Sequence, residues 1–264
     1  MEFTWRDEGA AGSGLAAGSV LITAFPSAGL ASIVAGHYIV RSLQLPRVGR
    51  FDSPDLQPIA LIQGGVVNPA VRVYGRPNLG LVLSEFPPTS GQANALARTI
   101  LDVAERRHAR LVVGLEGVVP HPPGEDDEDG TPATKGENPE QVWVAYSQQN
   151  PALTKAFEAT RVRPLEDGVI GGVSGSLLVQ SIGRPVPVAV LLVSTRLAEG
   201  LPDHRAGAAL IETLDQLLPE TKIDTGPLRA QAEEIEKALR AALKAHPPPR
   251  EPEAPTAPQG EMYR

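Results

Sequence analysis

Ser19-Val20-Leu21-Ile22-Thr23-Ala24-Phe25 is a short, largely apolar, β-branched run that Pro26-Ser27 bring to a close. A run of this kind reads as a buried strand, because a strand with one wet face would alternate apolar and polar residues. A helix is predicted to follow, with Leu30, Ile33, Val34, His37 and Val40 recurring at helical spacing up to a stop near Pro46.

The same alternation continues along the chain. Arg47 to Phe51 and Ile59 to Gln63 read as strands, and Arg72 to Tyr74 and Leu79 to Glu85 flank Gly75-Arg76-Pro77-Asn78 as a hairpin. Ser90 is the expected N-cap of a helix that carries Leu96, Ile100, Val103 and Ala104 on one face. Leu111 to Leu115 and Val186 to Ser194 are further buried-strand patterns, Trp143 to Tyr146 is a shorter one, and Pro151 to Thr160 reads as helix. Pro202-Asp203 opens a helix with Leu210, Ile211, Leu214, Leu217 and Leu218 on its apolar side. Strands and helices in this order predict an α/β domain with a largely parallel or mixed central sheet.

Three units are expected. Residues 1–224 form the α/β core, interrupted at about 119–141 by an insert in which Glu125 to Asp129 are all acidic. Like-charge blocks among prolines and glycines read as a solvated loop, and the insert lacks the spaced ligands and turn glycine of a helix-loop-helix calcium site. Residues 225–246 form an amphipathic helix whose seam of Leu228, Ala232, Ile235, Leu239 and Ala242 docks on its own domain or on another subunit. Residues 247–264 are a proline-rich arm, expected to be disordered, that ends in Met262-Tyr263-Arg264.

Composition narrows the function. The net charge of -7 argues against nucleic acid or an anionic membrane as partner, since either would repel the average surface. There are no cysteines, so disulfides, thiolate metal sites and a cysteine nucleophile are out, and a reducing compartment is compatible. Residues 1 to 18 do not read as a signal peptide and no run approaches the ~20 apolar residues of a membrane helix, so a cytoplasmic protein is expected. His37, His108, His121, His204 and His246 form no metal pair at helical spacing, and no G-x-S-x-G elbow occurs. No cofactor or metal is called for.

Two features allow a small-molecule reading. The turn containing Gly171, Gly172, Ser174, Gly175 and Ser176 could present backbone N–H groups to an anion, although it matches neither phosphate-loop frame and glycine can serve tight packing there. Glu85 and Glu116 stand at strand ends, where they either pair as carboxylates or simply face solvent or a helix N-terminus. His37, on an apolar helical face, reads as a satisfied core or interface histidine rather than a base.

Phe25-Pro26-Ser27-Ala28-Gly29-Leu30, Leu83-Ser84-Glu85-Phe86-Pro87 and Gly171-Gly172-Val173-Ser174-Gly175, in this order, resemble the proteasome assembly chaperone family over about Ser19 to Leu218. The resemblance implies a three-layer α/β/α fold similar to nucleoside phosphorylases, without known catalytic residues, in homo-oligomers of three to five subunits. It also implies a role for the chain end, which looks like the hydrophobic-tyrosine-any-residue ending that docks between α-subunits of the 20S proteasome. By that likeness Tyr263 seats in the pocket, Met262 fills its apolar wall and the Arg264 carboxylate pairs with a lysine. The acidic insert and the long arm depart from the family pattern.

Residues 247–264 would reach roughly 55 Å at ~3.1 Å per residue if extended. A three-residue plug binds weakly by itself, so useful affinity requires several arms on one oligomer. The expectation is thus a non-enzymatic proteasome chaperone or adaptor. The alternative is a phosphorylase-like small-molecule-binding protein or hydrolase using the Gly171 to Ser176 turn.

Overall fold

Val20 to Ala24 (β2) is buried at every position, and its two neighbours in the sheet, Leu79–Leu83 (β7) and Leu111–Val118 (β8), are buried almost throughout. The computed structural model describes residues 2–9, 14–119, 140–147, 151–158, 160, 162–195, 202–218 and 221–245. Most of the acidic insert and the whole arm, including Met262, Tyr263 and Arg264, lie outside the described residues.

The remaining strands are Thr4–Asp7 (β1), Arg47–Asp52 (β3), Leu61–Gln63 (β4), Val66–Asn68 (β5), Arg72–Arg76 (β6), Val142–Tyr146 (β9), Arg163–Pro164 (β10) and Val188–Ser194 (β11). The helices are Ala31–Ser42 (α1), Ser90–Arg106 (α2), Pro151–Glu158 (α3), Gly172–Gln180 (α4), His204–Leu217 (α5) and Gly226–Ala245 (α6). Nine strands form one sheet in the order β1-β3-β6-β7-β2-β8-β11-β9-β10. Its centre, β7-β2-β8-β11, is parallel, while β6, β3 and β1 continue it antiparallel on one side and β9 does so on the other. Among the described residues β4 and β5 pair only with each other.

Strand parity sorts the core into two layers. Val20, Ile22 and Ala24 pack with Leu81, Leu83, Val113 and Leu115 against α1, α5 and the start of α6. Leu21, Val82 and Val112 pack on the opposite face against Leu96, Ile100 and Ala104 of α2 and Val173 and Leu177 of α4. The predicted three-layer α/β/α arrangement with a mixed sheet is the one observed.

Three local expectations are corrected. α1 buries Ala31, Ser32, Ala35, Gly36 and Ile39 fully, whereas Ile33, Val34 and Val40 pack against the core only partly buried and Leu30 is exposed. A Cβ on Gly36 would stand 2.9 Å from Leu83 Cδ1 and 3.0 Å from Ala24 Cβ, so α1 lies close to the sheet on a small-residue face. Thr89, not Ser90, caps α2: its hydroxyl accepts from the Gln92 N–H at 3.4 Å, and the Gln92 side chain accepts from the Thr89 N–H at 2.9 Å. The strand expected over Ile59 to Gln63 is only β4, set apart from the main sheet.

The seam of α6 docks on its own chain over its first half. Leu228 and Ala232 are buried, and Arg229 Nε bonds Glu212 of α5 at 2.7 Å while Arg229 Nη1 reaches Glu140 at 2.9 Å.

Gly36→Val forces a branched side chain between α1 and the sheet, and overpacking of this kind costs about 1–3 kcal/mol. Chemical denaturation should show a lower midpoint with an unchanged slope; an unaltered midpoint would contradict the close approach of α1.

Candidate functional site

The carboxyl ends of the parallel strands are where open α/β sheets bind ligands, in the crevice between strands whose helices leave to opposite faces. Here β2 leads to α1 and its neighbour β7 leads to α2 on the opposite face, so that crevice opens between β2 and β7. On the other side of β2 the chain covers the strand ends with its own loop. Gly29 and Leu30 adopt positive φ of 59° and 50°, which turns Pro26 to Leu30 back over β8. A Cβ on Gly117 would lie 2.1 Å from the Ala28 carbonyl oxygen, so only glycine permits this contact. The Gly117 N–H donates to Ser27 Oγ at 2.9 Å, and Ser27 and Ser32 share a hydrogen bond of 2.8 Å. The Phe25 to Leu30 motif is thereby explained as a plug that ties β2 to β8.

Glu85 and Glu116 do not pair, because their partners lie in opposite layers. Glu85 follows β7 and takes a hydrogen-bonded ion pair from Arg72 of β6 and a 2.9 Å contact from His37 Nε2 of α1. The Arg72 side chain is wholly buried, and it also donates to Tyr74 Oη and the Pro69 carbonyl, each at 3.1 Å. His37 is therefore a partly exposed, satisfied histidine rather than a free base. Burial alone would raise the Glu85 carboxyl, but the His37 and Arg72 hydrogen bonds and the Arg72 charge outweigh it and bring it down to about 2.

Glu116 shares the parity of Val112 and Gly114 and so points to the other face, where Ser174 Oγ donates to Glu116 Oε2 at 2.7 Å. Burial pushes this carboxyl up to about 7, against the smaller opposing pull of the Ser174 hydroxyl. Thr23 Oγ1, on the same face of β2, is buried with no hydrogen-bond partner among the described residues.

The glycine-rich turn belongs to α4 itself. Gly172 has φ of 62°, and a Cβ on Gly175 would lie 2.0 Å from the Ile170 carbonyl oxygen, so both glycines answer a backbone demand. Ser174 is engaged by Glu116, and Ser176 Oγ bonds Asn94 Oδ1 at 2.9 Å. Gly171 precedes the helix in extended backbone, with open space beside it. Arg72 is the residue that the sequence reading missed. Arg72 opens a hairpin strand that ends in a second arginine, Arg76, and its place opposite Leu83, two residues short of Glu85 on the facing strand, was the available signal. Among the described residues no group of three or more His, Asp or Glu is arranged to hold a metal, and no helix is long and apolar enough to cross a membrane.

The two carboxylates give opposite pH signatures. Glu85 has a lowered folded pKa, so its contribution is present above pH 4.5 and is lost as pH falls toward 2. Glu116 has a raised one, so its neutral form favours folding below pH 4.5, and that advantage is lost as pH rises through 7. Glu116→Gln keeps the neutral shape and should become more stable relative to the parent between pH 5 and 8, by on the order of 3 kcal/mol at the upper end. Denaturation midpoints across that interval check it, and a parallel pH dependence in both proteins would contradict a buried Glu116.

Comparison with known proteins adds the relatives. An uncharacterized protein of Methanocaldococcus jannaschii is 27% identical over 228 residues, which cover 86% of each chain. Among solved structures, Pyrococcus furiosus PbaA, described as an archaeal homolog of proteasome-assembly chaperone, matches with a TM-score of 0.76 at 24% identity and covers 93% of both chains. Pyrococcus furiosus PbaB, described as an archaeal proteasome activator, matches with a TM-score of 0.72 at 20% identity, over 91% of this chain and 98% of that one. The three-layer fold is common to all three structures. The PAC2 family model matches residues 21–243, and the chain belongs to the PAC2 family.

Proposed function

We propose that this PAC2 protein is a non-enzymatic partner of the 20S proteasome core, an assembly chaperone or adaptor that engages α-subunits through Met262-Tyr263-Arg264. The observation that carries the reading is this ending on a chain of this family, whose structural neighbour PbaB is described as a proteasome activator. Tyr263 and Met262 occupy a pocket between α-subunits, and the Arg264 carboxylate pairs with a basic side chain there. The folded body serves as the platform for the arm.

Two observations favour binding over catalysis. The end of β8 is covered by Ser27 to Leu30, and the Ser27, Ser32 and Ser174 hydroxyls are hydrogen-bonded within the chain instead of facing a histidine base. A homo-oligomer of three to five subunits completes the reading, since several arms acting together raise the weak affinity of one plug.

Co-sedimentation with 20S α-rings tests it, comparing the intact chain with one lacking Met262-Tyr263-Arg264. The intact chain should bind and the shortened one should lose at least tenfold in affinity, the loss of about 1.4 kcal/mol. Equal binding would move the interaction to the folded body. Binding by neither, together with a melting temperature raised by phosphate or nucleosides, would favour the small-molecule alternative at the Gly171 to Ser176 turn.

A further inference from the structure

The β4–β5 hairpin exposes side chains that its composition would bury. Ile62, Val66 and Val67 are 59%, 62% and 61% exposed, and Ile59 just before them is 39% exposed. Residues 56–71 contain no charged side chain, in a chain that is 21% charged. The register sets Ile62 opposite Val67 and Gln63 opposite Val66, so Ile62 and Val67 share one face. Gly64 and Gly65 both have positive φ, 56° and 77°, as a tight two-residue hairpin turn requires. This is a shaped arm rather than a loose loop. A two-stranded hairpin is marginal in water without a cover, and β4 and β5 pair with no other strand of the described residues.

A second bare patch lies on α4 and its ends. Residues 168–183 also lack any charged side chain, and Val179 and Ile182 are each 68% exposed. The inner side of α4 is already used, with Val173 and Leu177 in the core and Gln180 bonded to the Asn94 carbonyl at 2.8 Å.

We propose that the β4–β5 hairpin of one copy of this chain covers the exposed end of α4 on a second copy. The charge pattern selects that occupant. Two copies each carrying -7 repel through most of their surfaces, and a contact between two segments without charged side chains lessens both that repulsion and the cost of burying charge, with Arg47 beside the hairpin and Arg184 beside α4 left at its edge. Hairpin-on-hairpin pairing would leave Val179 and Ile182 in water, whereas hairpin on α4 covers both patches. Such a contact joins two different surfaces, so repeating it closes a ring when the rotation allows. The inference gives an interface to the oligomer of the functional reading, and in that respect rests on it.

Sedimentation or light scattering of the full-length chain, with no proteasome present, tests the contact independently of tail docking. The parent should form an oligomer at micromolar concentration. Ile62→Asp with Val67→Asp, and separately Val179→Glu with Ile182→Glu, should each reduce it to monomer while the far-UV spectrum stays that of the parent. If the hairpin variant fails to fold, the α4 variant decides the matter alone. Mixing the two variants leaves one intact hairpin and one intact α4 patch, and should restore a two-chain species. A monomeric parent, variants that keep the parent mass, or a mixture of monomeric variants that stays monomeric would each overturn the proposal. Loss of proteasome binding by the hairpin variant with its oligomer intact would overturn it too, and assign the hairpin to another partner.

Discussion

The central strands have no wet face. β2 and β11 are buried at every residue, and that single constraint demands a helical layer on each side of the sheet. It also sets how the layers meet. α1 crosses β2 and β7 on Ala31, Ala35 and Gly36, which brings its backbone close to the sheet, while Val34 reaches across to Gly207 of α5, where a Cβ would stand 2.7 Å from Val34 Cγ1. Small residues therefore carry both contacts of α1, and the larger ones fill the gaps between helices.

The polar groups at the strand ends follow from the same packing. Arg72 is wholly buried at the start of β6, where an unpaired charge would cost several kcal/mol, so Glu85 and the Pro69 carbonyl must face it. His37 adds to this cluster from α1 and links the hairpin to the helical layer. On the other face Glu116 bonds the Ser174 hydroxyl and no basic side chain among the described residues, so burial governs its protonation. The strand ends thus hold a tight ion pair on one side and a carboxyl that titrates near neutrality on the other.

Much of this fold was legible in the chain. The runs at Ser19 to Phe25, Leu111 to Leu115 and Val186 to Ser194 are the core strands, and the periodicity of α2 names buried residues throughout, because a helix packing at ordinary distance turns its largest apolar residues inward; for α5 it names Leu210, Ile211 and Leu214 but not the small buried residues Ala206 to Ala209, and Leu217 is only partly buried. The face of α1 was misread for the converse reason: where a helix lies close to a sheet, small residues face inward and size ceases to mark burial. β1 escaped notice because its four residues are mostly exposed and its strand character comes from pairing with β3. Glu85 and Glu116 were placed at strand ends, but their separation into two layers depends on the pleat, which sets Glu116 with Val112 and Gly114. The Pro26 to Leu30 motif could be recognised as a pattern; its work as a plug over Gly117 depends on two segments that only the folded chain brings together.

Docking by weak plugs that act together from one folded platform is tested by measuring how tightly a synthetic peptide of residues 247–264 and the full-length protein each bind 20S α-rings, under the same conditions. Multivalent docking predicts weak peptide binding that is abolished by Tyr263→Ala, and full-length binding tighter by about 10²–10⁴. A peptide as tight as the whole protein would remove the need for the platform, and a peptide that does not compete with the full-length protein at any concentration would contradict docking through the chain end.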